Sequence, residues 1–387
     1  MNKKELELYI HIPFCVRKCS YCDFLSAPAT EQTREAYMAA LFAEIGGRAK
    51  DYSDRTVTSI FIGGGTPSLL SGEQIGQLMD RIREQFAMAQ DAEITMEVNP
   101  GTASAEKLRN FYTAGINRLS IGMQSAQAEE LKNLGRIHDF EGFCQVYREA
   151  VEAGFTNINV DIMSGLPGQT LASYRDTLEK VLHLEPMPQH ISAYSLIVEE
   201  GTPFAAMAER GELPLPEEET ERAMYEETIE VLAKYGFHRY EISNYARDGY
   251  ECRHNVGYWI RRDYLGFGIG AASLIDNVRF KNEKSLGAYL AHPLESREEE
   301  QTLTVQDRME ETMFLGLRLT RGVSCVDFAE QYGRTVEEVY GEVIARNVAD
   351  GLLTVTERKE NQKKDRLLAL TKRGLDLSNY VMAQFLF

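Results

Sequence analysis

From residue 6 to about residue 200 the chain alternates short apolar, β-rich runs with longer amphipathic stretches of helical period. Residues 6–12, 58–63, 94–99, 118–123, 158–163 and 190–198 predict six strands. Strands that alternate with helices are the pattern of βα units around a parallel sheet, so residues 1–200 are expected to fold as α/β, an incomplete parallel (β/α)6 barrel. In such barrels the residues just beyond each strand converge on one pocket at the C-terminal face.

The pattern changes after residue 200. Pro214-Leu215-Pro216 followed by Glu217-Glu218-Glu219 reads as a turn and the acidic first turn of a helix reaching about Tyr235. A strand-like run at residues 240–246 leads into an aromatic segment at 252–259, and glycines at 266, 268 and 270 suggest close backbone packing, against chain or cofactor. Residues 201–291 are therefore expected to form an α+β extension. A Pro- and Glu-rich polar stretch at 292–301 predicts a boundary. Beyond it, helical patterns at 307–319, 326–332 and 336–350 precede β-like runs at 352–356 and 366–370 and a final helix running to Phe387, so residues 302–387 are expected to be winged-helix-like.

A chain of 387 residues, 43% hydrophobic and 26% charged, can bury a large core in two or three domains. The formal net charge of -17 opposes phosphate-backbone binding, so no nucleic-acid partner is expected despite the winged-helix pattern. No apolar stretch reaches bilayer-spanning length and no leader is legible before the first strand, which points to the cytoplasm. Six thinly spread cysteines suit a reducing compartment better than a disulfide framework.

Three of those cysteines stand out. Cys15, Cys19 and Cys22, spaced C-x3-C-x2-C, leave the first strand in a loop that Pro13 keeps from continuing as strand or helix. Such a loop aims three soft thiolates at one object, one ligand short of the four that an iron–sulfur cubane or a structural zinc normally takes. The vacant position is what a metal centre needs in order to bind something else. A redox dithiol, or a zinc site completed by His11, remains the plainer alternative. Polar groups mark the ends of the other strands: Gly63-Gly64-Gly65-Thr66 after the second, Glu97 near the end of the third, Gln124 at the end of the fourth and Asp161 within the fifth, with Arg136 able to grip a carboxylate bidentately. Each alone is most simply a turn or a satisfied structural group, but together they converge on one face.

The cysteine motif, with an aromatic before the last cysteine, resembles the radical S-adenosylmethionine (SAM) enzymes. The order of Tyr9, the cysteines, Gly64-Gly65-Thr66, Glu97, Gln124, Arg136 and Asp161 is similar to one branch in particular, the oxygen-independent coproporphyrinogen III oxidases and the HemW-type heme chaperones. The resemblance implies a [4Fe-4S] cluster on Cys15, Cys19 and Cys22 with SAM on the open iron. It further implies that Glu97, Gln124, Arg136 and Asp161 line the SAM pocket, that Gly64, Gly65 and Thr66 meet the cofactor's amino end, that Tyr9 and Tyr21 flank the cluster, and that Leu196-Ile197 forms part of the adenine wall. His254-Asn255-x-x-Tyr258-Trp259 resembles the H-N-x-x-Y-W signature of the chaperones, a flat surface for heme with His254 beside it; a hydrogen-bonded core histidine is the bland alternative.

Two departures separate the branches. Phe24 stands where the oxidases carry a further cysteine, and the chain before Tyr9 is shorter than their N-terminal arm. Both favour a protein that binds heme and delivers it to acceptor hemoproteins over an oxidative decarboxylase. No catalytic residue is assigned, because binding and reductive cleavage of SAM call for the same groups. Peripheral membrane association and a homodimer are left open by the sequence.

Overall fold

A computed structural model describes residues 4–295, 297–360 and 363–386. Six strands, β1 (Lys4–Ile12), β2 (Arg55–Gly64), β3 (Ala87–Val98), β4 (Arg118–Gln124), β5 (Ile158–Ser164) and β6 (His190–Ser195), run parallel in sequence order. Helices α1 (Glu31–Arg48), α2 (Gly72–Gln85), α3 (Ala105–Thr113), α4 (Ala128–Leu134), α5 (Phe140–Ala153) and α6 (Leu171–Leu182) fill the crossovers. The period-2 apolar positions Leu6, Leu8, Ile10 and Ile12 of β1 are wholly buried in one core with Leu78 of α2, Phe111 of α3 and Phe143 of α5. The opposite positions of the strands, Glu7, Ser59, Glu93, Arg118 and Asn159 among them, are buried but polar. They give the barrel a hydrogen-bonding interior.

Local chemistry sets the crossovers. Ser71 and Gln74 form a capping box that starts α2, and Gly135, in the left-handed region at φ 76°, ends α4. The sixth strand stops at Ser195, three residues before its expected end.

The next segment does not build a separate sheet. It contains α7 (Pro203–Glu209), α8 (Glu218–Lys234), β7 (His238–Arg239), β8 (Asn244–Ala246), α9 (Arg253–Trp259), β9 (Tyr264–Phe267), β10 (Ala272–Ile275), β11 (Val278–Asn282), α10 (Leu286–Ala291) and β12 (Arg297–Thr302). β8 joins β6, and β9 joins the free edge of β1 in parallel, giving a twelve-stranded sheet ordered β12-β11-β10-β9-β1-β2-β3-β4-β5-β6-β8-β7. The parallel part thus has a seventh strand, β9, that the apolar pattern did not predict. Only three residues of the run at 240–246 pair as a strand. The aromatic segment at 252–259 contains the helix α9. Residues 292–301 include most of β12, an edge strand exposed at every position; Ser296 lies outside the described residues.

After β12 come α11 (Val305–Gly316), β13 (Val323–Ser324), α12 (Cys325–Tyr332), α13 (Val336–Ala349), β14 (Leu353–Glu360), β15 (Lys363–Leu370), α14 (Lys372–Asp376) and α15 (Ser378–Ala383). A second core of Met313, Leu317, Phe328, Val336, Leu368 and Phe385 sits between these helices and the antiparallel β13-β15-β14 sheet, a winged-helix-like arrangement. The last helix ends at Ala383, and Phe387 lies outside the described residues. No helix among the described residues is long and apolar enough to cross a membrane.

Candidate functional site

The cysteine loop is clamped at both ends. At its base Cys15 N–H donates to Ala27 O at 3.1 Å and Ala27 N–H to Pro13 O at 2.9 Å, with Phe14 buried beneath. Farther out Ser20 N–H donates to Leu134 O at 3.0 Å, and the Arg17 guanidinium to Gly135 O at 2.6 Å, tying the loop to the end of α4. All six cysteines of the chain are free thiols, and Cys15, Cys19 and Cys22 share the wall of one cavity of about 310 Å³ at the C-terminal strand ends. Among the described residues no three His, Cys, Asp or Glu side chains are gathered tightly enough for a single metal ion. His11 does not complete a zinc set, since its Nδ1 meets the Tyr9 hydroxyl at 3.0 Å and its Nε2 the Leu25 carbonyl at 2.8 Å. The thiols ring a space instead of a point.

The remaining strand ends reach the same cavity, which Gly64, Gly65, Thr66, Glu97, Gln124, Arg136, Asp161, Tyr21 and Ile197 all line. Glu97 accepts from Gly64 N–H at 3.0 Å, and burial, then the charge of Asp161, pushes its carboxyl up to about 8. Asp161 is also raised by burial, and takes hydrogen bonds from Asn159 at 2.7 Å and Ser120 at 3.2 Å. Gln124 carries φ 70°, uncommon for a non-glycine residue, and accepts from the Tyr194 hydroxyl at 2.9 Å. Arg136 is aimed inward by the turn at Gly135: one Nη donates to Gly122 O at 2.6 Å, the other lies 3.8 Å from Cys19 Sγ, and the buried Nε has no hydrogen-bond partner among the described residues. An unpartnered guanidinium N–H beside three thiols is the fit expected of a cluster whose ligand carries a carboxylate. The glycines have an internal reason as well. A Cβ on Gly65 would stand 2.7 Å from Phe14 O, and Gly64 has φ +113° with the His11 ring 2.5 Å from its would-be Cβ, so both are required by packing of β1 against β2.

Tyr9 corrects its expected place. It lines a second cavity, of about 690 Å³, that adjoins the first through Phe24, Gly64 and Glu97. Rings dominate its wall: Tyr9, Tyr258, Trp259, Tyr264 and Phe314, with Arg279 and Glu311 as charged members. Tyr258 and Tyr264 meet edge-to-face at 4.7 Å, and Arg318 stacks over the Trp259 ring at 4.3 Å. The Trp259 indole N–H is buried with no hydrogen-bond partner among the described residues.

His254 and Asn255 are not on that wall. His254 is buried, its Nδ1 2.8 Å from Ser59 Oγ and its Nε2 3.0 Å from the Tyr258 hydroxyl, and burial with the nearby Arg118 lowers its pKa to about 3. It is a hydrogen-bonded core histidine, both of whose ring nitrogens face hydroxyls of the protein. Glu93 of β3 explains the helix: its carboxylate accepts from Arg253 and His254 N–H, both at 3.1 Å, capping α9 from inside the barrel. The motif thus fastens α9 so that Tyr258 and Trp259 face the cavity. Sequence reasoning missed Tyr194, which the alternation His190, Ser192, Tyr194 along β6 places on the inner face, and Glu93, Tyr264, Arg279, Glu311 and Phe314, whose distance along the chain hid them. The glycines at 266 and 268 serve chain packing, since added Cβ atoms would meet Ala272 O at 2.3 Å and the Tyr37 hydroxyl at 2.2 Å.

Two family models match the chain, the radical SAM superfamily over residues 9–181 and the HemN C-terminal domain over residues 303–377. The chain is 38% identical to the heme chaperone HemW of Bacillus subtilis over 385 residues, covering 98% of each protein. It is 36% identical to the heme chaperone HemW of Lactococcus lactis over 387 residues, covering 100% of this chain and 98% of that protein. Among solved structures, Escherichia coli coproporphyrinogen III oxidase, HemN, described as a radical SAM enzyme, superposes with a TM-score of 0.84 at 28% identity, covering 99% of this chain and 90% of that one.

Proposed function

The chain belongs to the HemW family within the radical SAM superfamily, and on that premise we propose that it is a heme chaperone, binding heme in the aromatic cavity and passing it to acceptor hemoproteins. The observation that carries this reading is the cavity of about 690 Å³ walled by Tyr9, Tyr258, Trp259, Tyr264 and Phe314. It has the size of a small-molecule site and the flat apolar faces a tetrapyrrole stacks on.

The neighbouring thiol cavity is read as the seat of a [4Fe-4S] cluster on Cys15, Cys19 and Cys22 with SAM beside it. When bound, the cluster supplies a redox-active iron with an open position. The chain's own part is binding and orientation. Arg136 offers its free Nε–H and Nη1 to a carboxylate, Glu97 and the Gly64 backbone face the amino end, and Ile197, 67% exposed at the rim, offers apolar cover to a base. His254 holds α9 in place, while Tyr258 and Trp259 make the heme contact. The barrel at residues 1–200, the extension at 201–291 and the domain at 302–387 then have separate tasks: cluster and SAM, the α9 wall, and closure of the heme cavity by α11. Chemistry of this kind suits the cytoplasm.

The HemN superposition favours one rival, oxidative decarboxylation of coproporphyrinogen III. Phe24, 59% exposed on the wall between the cavities, occupies the position where the oxidases carry a further cysteine and speaks against it. The test is one anaerobic preparation assayed two ways, heme titration by absorbance and porphyrinogen turnover with SAM and a reductant. Saturable heme binding without turnover supports the chaperone; turnover without heme binding reverses the assignment.

A further inference from the structure

The charged corner of the aromatic cavity carries an imbalance. Arg279, on β11, donates to Glu311 Oε1 at 2.6 Å, and Arg261, just after α9, donates to Glu311 Oε2 at 2.8 Å. Two guanidiniums therefore share one carboxylate at hydrogen-bond distance, so the Glu311 contacts by themselves leave one positive charge over, with the Asp307 carboxylate also within electrostatic reach of Arg279. The three are not equivalent. Arg261 and Glu311 are almost wholly enclosed, at 4% and 7% side-chain exposure, whereas Arg279 is 35% exposed and lines the cavity with Glu311. Arg261 also has φ 56°, a left-handed backbone conformation uncommon outside glycine. Removing Arg279 from Glu311 would leave that carboxylate still paired with Arg261. The other ionisable members of the wall add no opposing charge near neutrality: burial raises the Glu97 carboxyl to about 8 and lowers the His11 imidazole.

Resting on the heme reading, we propose that Arg279 is the anchor for a ring carboxylate: the cavity takes a planar tetrapyrrole bearing free carboxylates, one of which pairs with Arg279 while Arg261 keeps Glu311 neutralised. Rings that stack on Tyr258 and Trp259 would be accepted by shape alone. Arg279 adds selection for the free acid, because an ester can accept a hydrogen bond but brings no charge to the guanidinium.

The experiment uses the full chain and two probes, heme and heme dimethyl ester, titrated by absorbance against wild type, Arg279→Gln, Arg279→Lys and Glu311→Gln. Wild type should bind heme at least about tenfold more tightly than the diester, the weaker end expected of a charge-assisted pair. Arg279→Gln should bring heme down to the diester's affinity without moving the diester, and Arg279→Lys should restore part of the difference. Glu311→Gln, which removes the competing carboxylate, should tighten heme and leave the diester alone. Equal wild-type affinity for the two probes would overturn the inference while leaving the heme reading intact. So would a loss in Arg279→Gln that affects both probes alike, since that would mark Arg279 as a packing residue. Failure of wild type to bind either probe would remove the heme reading together with this one.

Discussion

The two cavities share Phe24, Gly64 and Glu97 as a common wall, yet they are built from opposite materials. The thiol cavity is assembled from successive strand ends, and its groups are thiols, carboxyls and a guanidinium, several raised in pKa by burial or left without partners. The aromatic cavity draws on α9, three strands of the extended sheet, β9, β10 and β11, and α11, and its wall is rich in rings, of which Tyr258 and Tyr264 meet edge-to-face. A small, charged ligand must have its lost hydration replaced group by group, which strand ends converging on one face can do. A large flat ligand needs contact area, which rings supply at little conformational entropy. Separate material implies separate failure, and that can be tested by damaging one side and measuring both.

The largest effect should come from the thiols. Replacing Cys15, Cys19 and Cys22 together with Ser is expected to abolish nearly all iron taken up on anaerobic reconstitution, while heme affinity in the same preparation stays within about twofold, well under 1 kcal/mol. Iron analysis and heme titration decide it. Heme binding lost in step with iron would mean that the wall carries one site. Next, Arg136→Ala removes the unpartnered Nε–H and should weaken SAM binding by about 1.5–3 kcal/mol, the range for hydrogen bonds to charged groups. Calorimetry should show that loss with no change toward heme.

The thiol cavity was largely legible in the sequence because most of its groups lie at or just beyond predicted strand ends, and some carry their own punctuation, as with Pro13 before the cysteines and Gly63-Gly64-Gly65 after β2. What the pattern could not convey was conformation, such as the positive φ of Gln124. The aromatic cavity was legible only in part. Tyr258 and Trp259 were singled out, but Tyr264, Arg279 and Phe314 lie on elements that no local signal connects. The sheet's outer edge was hidden for another reason: β12 reads Arg-Glu-Glu-Glu-Gln-Thr, exposed throughout, and a charged edge strand resembles a linker because protecting an edge requires charge, not apolar alternation. His254 shows the limit of a motif. Its i, i+4 spacing to Tyr258 puts both on one helix face, where they bond to each other, so the histidine that looked like a ligand is what holds Tyr258 at the aromatic cavity.

That division inside one motif gives the next test. Losing His254 by the Ala substitution removes its contacts to Ser59 and Tyr258 and should destabilise the fold by about 1–3 kcal/mol, two hydrogen bonds' worth, without altering the Soret band of bound heme. Trp259→Ala should do the reverse, weakening heme by about 1.5–3 kcal/mol through lost apolar contact. Urea unfolding and heme titration of both variants would separate the roles, and a Soret shift in the His254 variant would return it to the heme.

The effect that bears least directly on either ligand concerns the shared wall itself, through Glu97. Its carboxyl is raised by burial from an ordinary 4.5 to about 8. Below pH 4.5 the folded and unfolded chains both hold this proton, so the group contributes no slope. Between pH 4.5 and about 8 the unfolded chain releases the proton and the folded one retains it. The folded state then binds more protons, and stability must fall as pH rises, by at most about 1.4 kcal/mol per pH unit from this group. Above about 8 both states are ionised and the loss stops growing. Glu7, buried beside Arg262 and also raised to about 8, imposes a slope of its own on the wild type, so the informative quantity is the difference between wild type and variant. Glu97→Gln resembles the protonated acid in shape and cannot ionise. The variant should match wild type near pH 5, exceed it progressively toward pH 8, and show a shallower dependence by one proton in urea unfolding of the apoprotein. A parallel pair of curves would mean that Glu97 is ionised in the folded chain at neutral pH, and the wall between the two cavities would then carry a charge that both ligands feel.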